Sequence, residues 1–424
     1  AVFRLLKGLS VPRKGLVGPW SHKYPHLGEP GPAIGFLQEC VRWFDQHLKG
    51  IDTGIMAEPM VRTFMQDSAP PSTRYEIRPG RWVTEPIWPS PNIVPTDYKL
   101  TYGLDLVPAD TDVPARTLGI QSPLFVGLYG GKWCSYNAPP DLPHDQRDED
   151  GGALTFDTAR LTEPVEILGQ PTVTLDLTAD KPVAMVAVRL IDVAPDDSAT
   201  RISYGLLNLT HRDSDAHPEA LEPGHRYRVT VNLKHIAQRF PAGHSVRVSV
   251  STVYWPIAWP APEPVKLTLH LGESRLTLPV RPPRPSEDAA VEPFPDPEMG
   301  PPLARTQIVP GQEEWSVRRD LARDLSHLEV LNDEGTFRLD DIDLTISASV
   351  LERYSYRGTD LTSLSGLCAW ERSFRRGDWH VRMVTRTLMT CDHTHFHVTA
   401  TLDAYEGDAR VYSQNWNVSI PRDL

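Results

Sequence analysis

The sequence predicts a mainly β protein, and three observations lead to this prediction. Proline accounts for 41 of the 424 residues, and this is about twice its average share of ~5%. Because proline breaks helix interiors and cannot donate to a sheet ladder, helical bundles and coiled coils are excluded for most of the chain. From about residue 70 onward, apolar and polar residues alternate with the period of two that is typical of strands. Turn-forming residues separate these short alternating segments, as they do in a β-sandwich.

The helical patterns are confined to residues 1–66. A first amphipathic helix is predicted from apolar residues on one helical face, namely Val2, Leu5, Leu6 and Leu9. Pro12 ends this helix, and residues 14–20 (KGLVGPW) are predicted to be a short apolar strand before a loop rich in glycine and proline. A second helix is predicted from the stripe formed by Ile34, Leu37, Val41, Phe44 and Leu48. Residues 61–66 alternate and are predicted to be a strand.

Two β-rich regions follow, with a proline-rich segment between them. Strands of the first region are predicted at residues 172–178, 184–193, 227–233, 244–251 and 265–271. Residues 283–302 are rich in proline and acidic side chains, so they are predicted to be an extended, semi-rigid linker. Residues 303–424 return to long alternating segments, which predict a second, meander-like antiparallel β-domain.

Charge and cysteine content narrow the function classes. The formal net charge is -12, so binding of nucleic acid through a basic surface is not expected. The four cysteines are far apart and form no C-x-x-C pair, which argues against a disulfide framework and a zinc ribbon. No apolar run approaches the ~18 residues of a membrane helix. The chain lacks an initiator methionine and begins within a predicted helix, so we expect it to be part of a longer protein.

The segment Gly18-Pro19-Trp20-Ser21-His22 is the sharpest local signal for chemistry. It places a histidine in a loop directly after a predicted strand, where open α/β sheets carry functional groups. An imidazole in that position can serve as a general base near neutral pH. A lone loop histidine is more often a structural or surface residue, so local physics alone leaves both interpretations open.

The wider pattern resembles the cocaine-esterase-like (CocE/NonD) α/β-hydrolases, the family that also includes X-prolyl dipeptidyl-peptidases. The likeness begins with GPWSH and the amphipathic helix after it, which contains Trp43-Phe44-Asp45 and ends at His47-Leu48-Lys49-Gly50. It continues to about residue 282 through motifs that are specific in combination: Trp82, Trp88-Pro89, Asp145-Gln146-Arg147, Leu161-Thr162-Glu163-Pro164-Val165, and Phe240-Pro241-Ala242-Gly243-His244 with Arg247. Residues 303–424 match only a less common C-terminal extension of the family.

This resemblance implies a fold and an order of domains. Residues 1–69 would be the C-terminal edge of an α/β-hydrolase domain. Residues 70–282 would be a jelly-roll β-sandwich of the kind found at the C-terminal end of X-prolyl dipeptidyl-peptidases. The proline-rich linker at 283–302 and an additional antiparallel β-domain at 303–424 complete the expected order.

The resemblance also implies a serine hydrolase that acts on ester or amide bonds through a Ser-His-Asp triad. His22 matches the family's catalytic histidine, which takes the proton from the nucleophilic serine and returns it to the leaving group. The nucleophile elbow G-x-S-x-G is absent from the chain, and the family's acid lies in a Gly-Trp-x-Asp-Gly turn that would precede residue 1. The chain by itself is therefore predicted to be inactive.

A second group of residues is the main candidate for a metal site: Cys391, His393, His395 and His397. On one strand these residues share a face, and imidazole and thiolate are zinc ligands. Neighbours at i+2 are ~6.6 Å apart along a strand, and no second cluster supports the site. We therefore expect the polar face of a sheet without a metal, with Asp392 on the opposite face.

The alternative function is a non-catalytic β-sandwich that binds a ligand such as a carbohydrate. Trp255 and Trp259 could stack on sugars, although packing against the neighbouring prolines is favoured. The acidic run Asp145–Asp150 could bind Ca²⁺ in a loop, although a solvated turn is favoured.

For the hydrolase, the expected partner is a small ester or amide or a peptide substrate, and no cofactor is expected. Neither nucleic acid nor a membrane is expected as a partner, the formation of a homo-oligomer is left open, and the cytoplasm is the expected location. The sequence does not distinguish an X-Pro peptide from an acyl ester or a β-lactam-like amide.

Overall fold

The computed structural model describes residues 2–136 and 140–423. The described structure is 47% strand and 9% helix, so the predicted mainly β class is confirmed. It divides into two compact units. Unit 1 comprises the residues up to Ile257 together with Val265–Met299, and unit 2 comprises Ala258–Pro264 and the residues from Gly300 onward.

Four short α-helices are present in the described residues: α1 (Val2–Gly8), α2 (Phe36–Leu48), α3 (Arg147–Asp150) and α4 (Pro285–Ala289). The first two confirm the helices that the apolar stripes predict, whereas α3 and α4 are too short to leave a periodic signal. None of the helices in the described parts of the chain combines the length and the apolar character that a membrane span requires.

Unit 1 contains sixteen strands within the described ranges. In chain order they are β1 (Gly15–Val17), β2 (Val61–Gln66), β3 (Gly80–Glu85), β4 (Val94–Leu100), β5 (Leu106–Pro108), β6 (Thr117–Ile120), β7 (Leu154–Asp157), β8 (Val165–Gly169), β9 (Thr172–Ala179), β10 (Met185–Val193), β11 (Ala199–Asn208), β12 (Arg226–Asn232), β13 (Ile236–Phe240), β14 (Ser245–Ser251), β15 (Leu267–His270) and β16 (Arg275–Val280). The five strands predicted between residues 172 and 271 are confirmed as β9, β10, β12, β14 and β15.

These strands form two sheets in the part of the chain that the structure describes. The larger sheet has 12 strands, with the order β1-β2-β13-β8-β16-β9-β15-β6 along its main path and with β3, β4, β5 and β12 paired to that path. The smaller sheet has the order β11-β10-β14-β7. Every residue of β10 is buried, because β11 and β14 cover its edges and its side chains on both faces are packed. The neighbours in both sheets are mostly far apart in sequence.

The N-terminal part of unit 1 forms a parallel strand pair. β1 pairs in parallel with β2, with Leu16 opposite Arg62, and α2 lies in the connection between them. Parallel strands need such a crossover connection. α1 packs beside this pair and contributes Phe3 and Leu6 to a core that also contains Met65.

The helix α2 turns its apolar stripe away from unit 1, and none of its residues is buried. Its polar side contacts the rest of unit 1: the Gln46 Oε1 atom accepts from the Thr53 N–H at 3.0 Å, and the Gln38 Nε2 atom donates to the Asp296 carbonyl at 2.9 Å. Its apolar stripe is exposed, with relative exposures of 41% at Leu37, 58% at Val41, 54% at Phe44 and 77% at Leu48.

The proline-rich segment 283–302 is less extended than predicted. It contains α4, whose Asp288 accepts a hydrogen bond from the guanidinium of Arg281 at 2.7 Å. Further along, the Phe294 ring packs edge-on against Trp82, with a centroid distance of 4.8 Å. The prediction of an extended conformation is wrong for α4, because composition does not reveal that its acidic side chain has a cationic partner in unit 1.

Unit 2 is an antiparallel sheet of long strands. Its strands within the described residues are β17 (Arg305–Val309), β18 (Gln312–Asp320), β19 (Leu325–Leu339), β20 (Leu344–Arg357), β21 (Asp360–Arg376), β22 (Trp379–Cys391), β23 (His395–Glu406) and β24 (Ala409–Pro421). From β19 onward each strand pairs with the next one in the chain, and β17 and β18 both pair with β19. β21 has 17 residues, which is about three times the common strand length.

Candidate functional site

His22 lies in the loop that follows β1, and Gly18 and Trp20 determine the course of that loop. A Cβ atom on Gly18 would lie 2.4 Å from the Cζ3 atom of Trp20, so glycine is needed to leave room for the indole beside the backbone. The indole Nε1 donates to the carbonyl of Pro32 at 2.8 Å. This hydrogen bond ties the beginning of the loop to its end, two residues before Ile34.

Trp20 packs against an aromatic cluster. The ring of Trp82, in β3, lies 5.9 Å from the ring of Trp20. Phe64 and Phe294 pack edge-on against the same Trp82 ring, at 5.3 Å and 4.8 Å. Trp82 is one of the residues in the family motifs, and it packs against Trp20 at the beginning of the His22 loop.

Backbone hydrogen bonds fix the main chain on both sides of His22. The Ser21 N–H donates to the Glu29 carbonyl at 3.0 Å, and the His22 N–H donates to the Ser135 carbonyl at 2.8 Å. Lys23 pairs with the carboxylate of Glu29 at 3.3 Å. The main chain of His22 is therefore anchored although its side chain is exposed.

The imidazole of His22 contacts two side chains of the segment 134–136. Its Nδ1 atom lies 3.5 Å from the Sγ atom of Cys134, and its ring centroid lies 4.8 Å from that of Tyr136. Among the described residues, no carboxylate pairs with the ring and no hydrogen bond engages Nε2. An imidazole with Nε2 open to solvent can accept a proton from a hydroxyl group.

The contacts of His22 were only partly visible in the sequence. The GPWSH motif marks the loop and the histidine, but Cys134 and Tyr136 are separated from it by more than one hundred positions. They lie in a glycine-containing stretch without periodicity, so no spacing rule connects them with His22. A carboxylate and a nucleophilic hydroxyl, the other members of a triad, are not brought to His22 by the described residues.

The acidic run Asp145–Asp150 is not the solvated turn that the sequence favours. Glu149 is 0% exposed, and its carboxylate lies 3.1 Å from the guanidinium of Arg189 in β10, which is also fully buried. Asp150 lies 3.2 Å from the same guanidinium. Burial raises the pKa of Glu149, and the charge of Arg189 opposes that shift. The run therefore joins α3 to β10 through a buried ion-pair network.

Two further motif residues contact carboxylates of the smaller sheet. The Nδ1 atom of His244 lies 2.8 Å from the Asp192 carboxylate. Arg247, in β14, donates two hydrogen bonds to Asp157 of β7, both at 2.7 Å. These contacts connect neighbouring strands, so these parts of the motif pattern serve the fold of unit 1.

The four residues considered as metal ligands lie around a hairpin turn instead of along one strand: Cys391, His393, His395 and His397. β22 ends at Cys391 and β23 begins at His395. In residues 2–136 and 140–423, no three His, Cys, Asp or Glu side chains form a group that could hold a metal ion.

Asp392 organises this turn, and its predicted position on the opposite sheet face is wrong. One carboxylate oxygen accepts the N–H groups of Thr394 and His395, both at 2.7 Å. The other oxygen lies 2.9 Å from the Nε2 atom of His397. The Thr394 N–H, followed by His397, holds the pKa of Asp392 well below its usual range. The continuous strand was predicted because alternation alone does not reveal a turn of this kind.

The two tryptophans considered for sugar stacking have contacts within the protein. Trp255 is 1% exposed, which confirms the packing interpretation for that residue. Trp259 belongs to unit 2, where its Nε1 atom donates to the Sγ atom of Cys391 at 3.3 Å and its ring lies 5.6 Å from that of Phe396.

The sequence of this chain matches a known protein family. Residues 53–290 match the family model described as the X-Pro dipeptidyl-peptidase C-terminal non-catalytic domain. A candidate serine esterase of Mycobacterium bovis is 29% identical over 280 residues, which cover 57% of this chain and 41% of the relative. The cocaine esterase of a Rhodococcus strain is 26% identical over 263 residues, which cover 57% of this chain and 44% of that enzyme.

The chain spans about two fifths of the length of these curated relatives. Among solved structures, a CocE/NonD family hydrolase from Staphylococcus aureus is 15% identical, with a TM-score of 0.45, over 57% of this chain and 45% of that one. The sequence relatives are named as esterases or, as in Bacillus anthracis, as an Xaa-Pro dipeptidyl-peptidase. The resemblance to the cocaine-esterase and X-prolyl dipeptidyl-peptidase family is confirmed by these sequence matches. Through residues 53–290, this chain belongs to the family defined by the X-Pro dipeptidyl-peptidase C-terminal domain.

Proposed function

We propose that this chain is the C-terminal part of a serine hydrolase that cleaves ester or amide bonds, with His22 as its general base. In this role the imidazole takes the proton of a serine hydroxyl while the serine oxygen bonds to the substrate carbonyl carbon. The same proton then goes to the leaving group, and an acyl-enzyme remains for hydrolysis by water. The nucleophile and the acid would belong to a segment that precedes this chain.

The position of His22 is the observation that carries the proposal. Its backbone is anchored by Ser135, its loop is held by Trp20, and its ring is exposed with no described hydrogen bond at Nε2. A triad base needs this combination, because Nε2 must face the nucleophile while the backbone stays fixed. The Cys134 thiol lies beside the Nδ1 atom of His22, where a triad would place the carboxylate of the acid. We expect the thiol to leave this position when the acid is present.

The exposed stripe of α2 supports the proposal that residues 1–69 are the edge of an α/β-hydrolase domain. Helices on such sheets bury their apolar face against the sheet. Here the polar side of α2 faces unit 1 and the apolar side is uncovered, while β1 and β2 form a parallel pair. We propose that the preceding hydrolase body covers Leu37, Val41 and Phe44.

The remaining domain boundaries belong to the same proposal. Residues 70–282 would be the jelly-roll sandwich, 283–302 the connection, and 303–424 an additional β-domain. The substrate classes are those in the names of the family and its relatives, an ester or an X-Pro peptide. The description of residues 53–290 as non-catalytic favours the second candidate function, a binding module without its own activity.

One experiment separates the two functions. The coding sequence is extended upstream to its full reading frame, and the purified full-length protein is assayed with p-nitrophenyl butyrate and an X-Pro p-nitroanilide. We expect turnover of one of these substrates, and we expect His22→Ala to lower kcat by at least about 10²-fold because the general base is lost. The 424-residue chain alone should show no turnover.

His225→Ala is the matched control, since His225 is also an exposed histidine of unit 1. Its kcat should equal that of the unchanged protein, and circular dichroism should show that both variants are folded. A folded His22→Ala variant that keeps more than about a tenth of kcat would show that His22 is not the base. A full-length protein without turnover of either substrate class would favour the binding module.

A further inference from the structure

A cavity of about 140 Å³ lies in unit 1 beside the Ser21 end of the His22 loop. Its wall has a polar part, which includes Gln66, Arg78 and Arg201, and an apolar part, which includes Leu142 and Ile236. None of the described residues that line it is acidic. Cavities of about 150 Å³ in proteins accommodate molecules the size of benzene, so there is room for a ligand of about six non-hydrogen atoms.

Arg78 is the unusual residue of this wall. It is 8% exposed, and no described carboxylate lies within ion-pair distance of its guanidinium. Its Nε atom donates to the neutral Oε1 atom of Gln66 at 3.1 Å, and its guanidinium lies 4.3 Å from the centre of the Tyr75 ring. Burial raises the pKa of Tyr75, so this phenol is neutral near pH 7. A buried cation without a counter-charge is unfavourable.

Arg201 adds a second guanidinium to the same wall. It donates to the carbonyl of Gly130 at 2.6 Å and to the hydroxyl of Tyr254 at 2.5 Å, and burial raises the pKa of Tyr254 to about 12, so both partners are neutral. Arg201 also lies within electrostatic range of the buried Glu149 carboxylate, which pairs directly with Arg189. Arg78 is therefore the cation of this wall that has no anion among the described residues.

We propose that this cavity binds a small monocarboxylate with a short apolar chain. The guanidinium of Arg78 would donate hydrogen bonds to the carboxylate, because its planar N–H fork matches the two carboxylate oxygens. The hydrocarbon chain would lie against Leu142 and Ile236, where its burial is favourable. The site is independent of the proposed hydrolase function, because it requires neither the triad nor turnover.

Calorimetric titration of the 424-residue chain tests the site with three probes of different chemistry. Butyrate has the charge and the chain, butyramide has nearly the same shape without the charge, and inorganic phosphate has charge without the chain. The buffer contains no other carboxylate or phosphate. We expect butyrate to bind with a Kd of about 1 mM or tighter, and we expect butyramide and phosphate to bind at least about tenfold more weakly.

Arg78→Gln should weaken butyrate binding at least about tenfold, because the charge-assisted hydrogen bonds are lost. Arg74→Gln is the control, since Arg74 is an exposed arginine nearby in sequence that does not line the cavity, and its affinity should be unchanged. If Arg78→Gln does not fold, the comparison of butyrate with butyramide on the unchanged chain still decides the question. Equal binding of these two probes, tighter binding of phosphate, or no binding of butyrate would overturn the proposal.

Discussion

Unit 1 and unit 2 are both built from β-sheets, but they differ in how much of each strand is buried. All residues of β10 in unit 1 are buried, whereas all residues of β24 in unit 2 are exposed. The largest fully buried side chains of the described residues, such as Trp255 and Arg189, all lie in unit 1. Unit 2 reaches its lowest exposure at a few positions such as Leu364, which is 1% exposed.

The two units also differ in how far apart in the sequence their paired strands lie. In unit 1, β9 pairs with β12, β15 and β16, all of which come much later in the chain. In unit 2, successive strands are neighbours from β19 to β24. Sheets with distant pairing depend on a packed core, while a meander is held mainly by local hairpins and their turns. We therefore expect core and buried-charge substitutions to affect unit 1 most, and turn substitutions to be visible mainly in unit 2.

The largest effect is expected at the buried ion pair of unit 1. Glu149→Gln should lower the free energy of unfolding by about 3 kcal/mol, because it leaves the buried Arg189 with less counter-charge. Urea unfolding measures this change. Glu163→Gln, at an exposed acid of the same unit, should stay within about 0.5 kcal/mol of the unchanged protein. Equal changes in the free energy of unfolding for Glu149→Gln and Glu163→Gln would show that the buried ion pair does not stabilise unit 1 more than an exposed acid does.

A matched pair of leucine substitutions compares the two sheets directly. Leu190→Ala in β10, at 0% exposure, should destabilise unit 1 by about 3 kcal/mol because it removes packed methyl groups and leaves a cavity. Leu367→Ala in the half-buried part of β21 should destabilise unit 2 by about 1 kcal/mol. Hydrogen exchange followed by mass spectrometry assigns each change to its unit. A larger loss of stability from Leu367→Ala than from Leu190→Ala would contradict the expectation that unit 1 depends more on its buried core.

A smaller, pH-dependent contribution to the stability of unit 1 is expected from an ion pair between β9 and β12. Asp176 accepts two hydrogen bonds from the half-exposed Arg226, at 2.5 Å and 2.6 Å, and these lower the pKa of Asp176. A lowered carboxyl pKa gives stability that is present above the unfolded-state pKa and is lost as the pH falls through the folded-state pKa. Asp176→Asn should therefore cost about 1 kcal/mol at pH 7.

The difference between Asp176→Asn and the unchanged protein should disappear in acid, below the folded-state pKa of Asp176. Asp110→Asn, at an exposed aspartate of the same unit, removes one negative charge in the same way and serves as the control. Urea unfolding across the acidic range measures both variants. A difference that persists unchanged at the lowest pH would mean that packing, and not the charge of Asp176, is responsible.

The smallest effect is expected in the β22–β23 turn of unit 2. Asp392→Ala removes the acceptor of the Thr394 and His395 N–H groups, so their amide protons should exchange faster while unit 1 is unchanged. The lowered pKa of Asp392 implies that acid titration of the unchanged protein reproduces this loss only well below the usual aspartate range. Asp378→Ala, in the turn before β22, is the control, since no side-chain hydrogen bond of Asp378 is present in the described structure.

The sequence predicted the strands and helices better than the contacts between them. Both β9 and β10 were predicted at the right positions. The alternation is retained in most of β9, whereas every residue of β10 is buried, which the period-two pattern did not predict. The burial of Glu149 could not be predicted, because an acidic run has the same composition in a solvated turn and in an ion-pair network. The contact of His22 with Cys134 depends on long-range topology, which residue patterns do not encode. The same holds for Arg78, which has no carboxylate beside it among the described residues. The turn at Asp392 did have a local signal, an aspartate two residues before a threonine.

The meander of unit 2 has a mechanical consequence. β24 lies at the end of the strand order and pairs with β23 alone in the described sheet. A force applied to the C-terminal end of the chain would therefore load one row of hydrogen bonds at a time, and the strands would peel away in reverse chain order. The same force applied across β9 would load its pairings with three other strands together. Pulled from its end, the protein should lengthen in small steps through unit 2 before unit 1 opens in a single larger one.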